Sequence, residues 1–295
     1  MPDPFEALRS PVVPVAPDPD FTARLRRRLV RALSPTAPQE ENMTDVLLRN
    51  ELSRNGTRQG DISYISLGLT DDASGRAFYG SVLGWRFASG QVDHVGNQVD
   101  EVIPQVGLWS GPEQGPLAVH GAVLAFRVDD IGTAVERVRQ EGGTAADPEA
   151  RPYGLEARCT DGHGLGFWLH QLPPTGRPAP RGGEREGDVS YVIVAVDDLE
   201  RARMFFGAVL DWVTSPGHSG GVQVEGPVPM VGMAGGGGEP GALLCYRVDD
   251  VASAVDRVRE AGGTATGPVE RPYGLEADCT DDQGVRFYLH QLPRP

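Results

Sequence analysis

From residue 61 onward the hydrophobic positions switch between two periods, and the switches mark out the elements. Tyr64 to Leu69 alternates with Ile65, Leu67 and Leu69 on one face, and Tyr191 to Val196 does the same through Val192, Val194 and Val196. A period of two predicts strands. Each is followed by a segment of helical period, Asp72 to Leu83, burying Phe78, Tyr79, Val82 and Leu83, and its counterpart Leu199 to Leu210. After looser strand-like segments a new strand begins at Ala122. A helix with Ile131, Ala134, Val135 and Val138 at core spacing follows, stopped by Gly142-Gly143, and three short strands come after it. Each stretch therefore reads as two successive strand, helix, three-strand modules. Upstream, Phe21, Leu25, Leu29 and Leu33 predict an amphipathic helix over 21–33, with Arg24, Arg26, Arg27, Arg28 and Arg31 on its other face. That face reads as a solvated surface whose arginines meet an acidic protein, with anionic lipid or nucleic acid as the alternative. A second short helix is expected around Thr44 to Ser53.

The pattern occurs twice because the sequence does. Gly121 to Leu172 and Gly241 to Leu292 are identical at 33 of 52 aligned positions, among them Arg-Pro-Tyr-Gly-Leu-Glu-Ala at 151–157 and again at 271–277. Asp61 to Phe87 and Asp188 to Thr214 match at 10 of 27. A tandem duplication follows: an N-terminal extension over 1–60, a first domain over 61–172, a proline, glycine and arginine linker over 173–187 and a second domain over 188–293. The fold class is α+β.

Composition then narrows the chemistry. A net charge of −14 argues against nucleic acid and against a basic membrane-facing surface. All 27 basic residues are arginine, which removes Schiff-base chemistry and lysine-dependent phosphate loops. Cys159, Cys245 and Cys279 lack Cys-x-x-Cys spacing and read as small buried hydrophobes in a reducing cytoplasm. The first residues carry no basic segment followed by an apolar run, and no stretch approaches a membrane span, so a cytoplasmic protein is expected. Gly217-His-Ser-Gly-Gly221 fits a nucleophile-elbow string, but the β-like Val-Gln-Val-Glu after it stands where a helix is required.

Tyr191-Val-Ile-Val-Ala-Val-Asp-Asp-Leu-Glu-Arg-Ala-Arg-Met-Phe-Phe-Gly-Ala-Val-Leu, and later Thr280-Asp-Asp-Gln-Gly-Val-Arg-Phe-Tyr-Leu, resemble the vicinal oxygen chelate superfamily. It includes glyoxalases, extradiol dioxygenases, fosfomycin-resistance enzymes and bleomycin-binding proteins. The resemblance covers about residues 61–292 and implies paired modules curved into a cup. In the catalytic members, it implies a divalent metal held there by His, Gln or Glu. Carried onto this chain, those ligand positions fall on Tyr64 and Tyr191, on Val123 and Leu243, on Trp168 and Tyr288, and near Gly107 and Gly232. None is a histidine or carboxylate, so no metal and no cofactor is expected.

With the helices covering Ile65, Leu67 and Leu69, the alternate residues should line the cups. Tyr64, Arg127, Trp168 and His170 are the candidate ligand-binding residues of the first domain, and Tyr191, Arg247, Arg286, Tyr288 and His290 those of the second. Glu156, Glu276, His170 and His290 are weaker catalytic candidates, as base and neighbour. Aromatic walls with arginine and carboxylate anchors suit a planar, partly polar small molecule. The alternatives are aromatics that merely plug a cavity left by lost ligands, and a glyoxalase- or dioxygenase-like enzyme with divergent metal ligands. The sequence predicts a tandem small-molecule-binding protein of the bleomycin-resistance type, a monomer with pseudo-twofold domains or a homodimer.

Overall fold

A computed structural model describes residues 57–89, 97–110, 120–173, 182–217, 220–236 and 239–293. The helices predicted over 21–33 and 44–53 lie outside them.

Four helices stand among the described residues: α1 (Asp72–Leu83), α2 (Ile131–Gln140), α3 (Leu199–Leu210) and α4 (Val251–Glu260). Each starts on an aspartate whose side chain accepts from first-turn backbone N–H groups: Asp71, Asp130, Asp198 and Asp250. Such a cap contributes about 1 kcal/mol and fixes where the preceding strand hands over to the helix. No helix among these residues is long and apolar enough to cross a membrane.

The first repeat contributes β1 (Ile62–Leu69), β2 (Phe87–Ser89), β3 (Asn97–Val99), β4 (Gln105–Ser110), β5 (Gly121–Arg127), β6 (Thr144–Ala145), β7 (Glu149–Arg151), β8 (Gly154–Thr160) and β9 (Gly166–Gln171). The second contributes β10 (Val189–Val196), β11 (Thr214–Pro216), β12 (Val222–Val224), β13 (Met230–Gly235), β14 (Gly241–Arg247), β15 (Thr264–Ala265), β16 (Val269–Arg271), β17 (Gly274–Thr280) and β18 (Arg286–Gln291). The two modules of a repeat join through their first strands. β1 runs parallel to β4 and antiparallel to β5, and β5 runs parallel to β9; β10, β13, β14 and β18 repeat this arrangement. A single ladder pair, Ala122 with Ala242, ties β5 to β14.

The three closing strands expected after α2 are four. β6 and β7 both pair with β8, and Pro148, which has no N–H to donate, falls between them. β12, not a helix, follows the Gly217 to Gly221 string.

The core is shared by crossing. α1 sets Phe78 against Phe287 of β18, with centroids 6.2 Å apart, and Tyr79 against Tyr246 of β14. Trp85, just after α1, meets Tyr246 edge-on at 5.3 Å. In mirror fashion α3 sets Phe206 against Phe126 of β5 and Phe205 against Phe167 of β9, and Trp212 meets Phe126 at 5.3 Å. Each first-module helix thus packs against the second-module sheet of the other repeat. Hydrogen bonds follow the same crossing. Trp85 Nε1 donates to the Gly187 carbonyl and Trp212 Nε1 to that of Gly60, both at 2.9 Å, and the Tyr79 hydroxyl donates to Asp281 at 3.0 Å. The glycine pair that stops α2 also serves this contact. A Cβ on Gly143 would lie 3.0 Å from the Phe205 ring and 2.3 Å from the Thr160 carbonyl, and Gly263 stands likewise against Phe78.

Because one hydrophobic cluster spans both repeats, they should unfold together. Truncating the fully buried Phe206 to alanine is expected to cost about 3–5 kcal/mol, read as a shift of one cooperative urea transition. Two separable transitions would contradict the shared core.

Candidate functional site

Strand alternation divides the sheet residues between the helical core and the opposite, concave face. Ile65, Leu67, Val106, Leu108, Leu124, Phe126, Ala157, Cys159, Phe167 and Leu169 belong to the core cluster. Their neighbours form rows across the other face. One row of the first repeat reads Gln105, Tyr64, Ala125, Trp168, Arg158, and its counterpart reads Met230, Tyr191, Cys245, Tyr288, Asp278. The adjacent row runs Gln98, Gly107, Ser66, Val123, and in the second repeat Gln223, Gly232, Ile193, Leu243. Arg127, His170 and Glu156 form a third row beside the first, and Arg247, His290 and Glu276 its mate.

In the centre of each cup a phenol stands over a glycine. A Cβ built on Gly107 would lie 1.9 Å from the Tyr64 hydroxyl, and one on Gly232 would lie 2.1 Å from that of Tyr191. Only a residue without a side chain tolerates this approach. Tyr191 donates to Gln223 Oε1 at 2.9 Å, while the Gln223 amide donates to the Val231 carbonyl at 2.9 Å. Gln98 makes the corresponding bond to the Val106 carbonyl. Sequence reasoning missed both glutamines. They sit in three-residue strands too short for a periodic signal, although each lies nine residues before its glycine, at Gly107 and Gly232.

The histidines are drawn into a second cluster. His170 is buried, with Nδ1 3.1 Å from Ser63 Oγ and Nε2 3.4 Å from Glu156. His290 repeats this with Ser190 and Glu276, at 3.3 Å on each side. Tyr153 donates to Glu156, and Tyr273 donates to Glu276 at 2.6 Å. Arg151 and Arg271 complete the clusters at 3.2 and 3.1 Å. The His290 hydrogen bond, working against burial and aided by Tyr273 and Arg271, holds the Glu276 carboxyl at about 2. Burial would raise Glu156, but bonds from His170 and Tyr153 outweigh it and its carboxyl is also held low. Since the folded value lies below the unfolded one, this stabilisation is complete above the ordinary carboxylate range and lost as pH falls towards about 2. Each glutamate is thus met by a histidine, a tyrosine and an arginine, and these contacts favour its charged form. The duplicated Arg-Pro-Tyr-Gly-Leu-Glu-Ala supplies the arginine, tyrosine and glutamate of both clusters. Tyr153 and Tyr273 were legible as part of that repeat, but their bonds to glutamate were not.

The arginines divide. Arg127 turns its guanidinium to Asp129 and the Val128 carbonyl, and Arg247 to Asp249 and the Gly183 carbonyl. Arg286 pairs with Asp278 at 2.9 Å in the second cup. In the first cup Arg158 lies over the Trp168 ring, 5.0 Å from its centroid. Tyr64, Trp168, Tyr191 and Tyr288, all half-buried, come together on the concave faces as the strand phase required. Arg127, Arg247, His170 and His290 lie one row away, engaged with neighbouring groups.

No family model matches this chain. Among solved structures it is similar to a catechol 2,3-dioxygenase, with TM-score 0.58 and 16% identity over 81% of this chain and 90% of that one. It is also similar to the 2,3-dioxygenase LapB from Pseudomonas sp. KL28, with TM-score 0.56 and 15% identity over 82% and 96%. The chain has the fold of these 2,3-dioxygenases. Homoprotocatechuate 2,3-dioxygenase from Brevibacterium fuscum aligns with TM-score 0.55 and 18% identity over 80% of this chain and 81% of its own. A curated relative, the anthracycline biosynthesis protein DauV of Streptomyces sp. (strain C5), is 28% identical over 186 residues. That match takes in 57% of this chain and 64% of the relative, so the chain spans less than two thirds of the protein it matches.

The donor set does not fit the divalent metal that the sequence resemblance implies. The expected ligand positions hold Tyr64, Gly107, Val123 and Trp168, or Tyr191, Gly232, Leu243 and Tyr288, which offer one phenol per cup. Among the described residues no group of three His, Cys, Asp or Glu side chains is placed to hold an ion.

The phenol over glycine yields a direct test. Gly107→Ala should cost about 1–3 kcal/mol by forcing Tyr64 aside, and less than half of that in a Tyr64→Phe background. The coupling is read from urea denaturation of the four proteins in a double-mutant cycle. Additive costs would mean that the two residues do not compete for one space.

Proposed function

We propose that this protein binds a small, planar aromatic ligand in a cup of the vicinal oxygen chelate fold, without a metal. The observation that carries the reading is the tyrosine seated over glycine: where a metal-using cup needs donors converging on open space, a neutral phenol fills it. The filled centre leaves aromatic walls, with Trp168 under the Arg158 guanidinium in the first cup, and such walls offer stacking area plus a few orienting polar groups. The relative's name, an anthracycline biosynthesis protein, supports polycyclic aromatic natural products as the ligand class. The dioxygenase likeness supports the fold and leaves the chemistry open.

The expected partner is therefore a small molecule, bound by stacking. Titrating chelator-treated protein with polycyclic aromatic compounds should quench the fluorescence of Trp168. Trp168→Phe should reduce the quenching, while Trp85 and Trp212, buried between the repeats, still emit. Quenching that appears only after iron, manganese, nickel or zinc is restored would contradict the metal-free reading.

A further inference from the structure

We infer that the two cups are not equivalent: the first alone takes ligand, one per chain, and the indole N–H of Trp109 reads an acceptor oxygen on it. This inference rests on the binding role just proposed. It starts from an unmet donor. Trp109 Nε1 is buried and has no hydrogen-bond partner among the described residues. An indole N–H can only donate, and a buried donor left unpaired costs about 1–3 kcal/mol. Trp109 sits two residues beyond Gly107 on β4 and therefore on the same face. Its Nε1 lies 3.2 Å from the point where a Cβ of Gly107 would stand, the point that the Tyr64 hydroxyl approaches to 1.9 Å. A donor and a phenol thus converge over one glycine at the centre of the first cup.

The second cup repeats the phenol over glycine but lacks the indole donor beside it. By ladder register Trp109 pairs with Gly68, and Ala234 with the equivalent Ala195, so alanine stands where the first cup has indole. Ser66 gives way to Ile193 and Gln105 to Met230. The charges differ as well. Arg158 stacks on Trp168 and makes no ion pair among the described residues, whereas its mate Asp278 is neutralised by Arg286 at 2.9 Å. The first cup therefore offers an N–H donor, a guanidinium free of a carboxylate and an indole face. At the equivalent positions the second offers alanine, isoleucine and methionine side chains and a closed ion pair. The complementary molecule is a flat aromatic bearing a keto or phenolate oxygen on its edge, with negative charge towards Arg158.

Anthraquinone-2-sulfonate and anthracene-2-sulfonate share ring shape and charge and differ in the keto oxygens. Calorimetry should give one anthraquinone-2-sulfonate per chain, with Trp109→Phe weakening it about tenfold while anthracene-2-sulfonate binds as before. That unchanged second affinity also reports that the variant is folded. In the unaltered chain one of the four indole N–H resonances should move with the quinone and stay in place with anthracene. Arg158→Gln should weaken both sulfonates. Two equivalent sites per chain, or a quinone preference untouched by Trp109→Phe together with unmoved indole resonances, would overturn the inference and leave the binding role standing. Failure of the unaltered chain to bind either probe would sink both.

Discussion

The structure depends on a crossing: the helix of each first module covers the second-module sheet of the other repeat. Phe78, Tyr79 and Trp85 close over Tyr246 and Phe287, and Phe205, Phe206 and Trp212 over Phe126 and Phe167. Neither repeat buries its apolar face alone. Burial of this kind is the main favourable term in folding, and aromatic pairs add edge-on contacts to it. With the helical layer between the sheets, the concave faces turn away from the core and are released from packing duty. Their residues can then change without dismantling the fold. The repeats reflect this: Phe126, Phe167 and the Gly143 bend return as Tyr246, Phe287 and Gly263, while Trp109, Arg158 and Gly166 become Ala234, Asp278 and Arg286.

Much of this was legible in the sequence because period and repetition are strong signals. The spans of α1 and α3 and the alternation of β1 and β10 follow from where Ile65, Leu67, Phe78 and their mates recur. The core phase of Ala157 and Cys159 also followed from alternation. What stayed hidden were relations between distant residues. Nothing in the spacing of Phe78 says that its partner is Phe287, since helical period fixes a face without naming what covers it. The bond from His170 to Ser63 spans 107 residues and needs the strand register to be known. Gln98 and Gln223 stood in segments without a period.

Neither cup carries a histidine or carboxylate at the expected ligand positions, and a tyrosine over glycine stands in each. Tyr191 and Gln223 form a neutral pair, and the glycine beneath the ring keeps the ring seated. Below them Glu156 with His170, and Glu276 with His290, tie the strands of the closing wall through buried bonds. A metal-using cup is organised by its ion and the charges that hold it; on the reading proposed for this chain, hydrogen bonds and packing organise the same strands. Among the described residues Trp109 Nε1 has no partner and Arg158 makes no ion pair, and it is on these two that the inferred asymmetry of the cups rests.

The central claim is that the cups are complete without a metal, and thermal unfolding tests it most directly. An ion that binds the folded chain at a hundred times its dissociation constant adds about 2.7 kcal/mol. In a body of this size that raises the midpoint by roughly 5–10 °C. Unfolding curves recorded after chelation and again with excess ferrous, manganous, nickel or zinc ions should superimpose to within about 1 °C. A saturable rise of several degrees with any one of these ions would contradict the account.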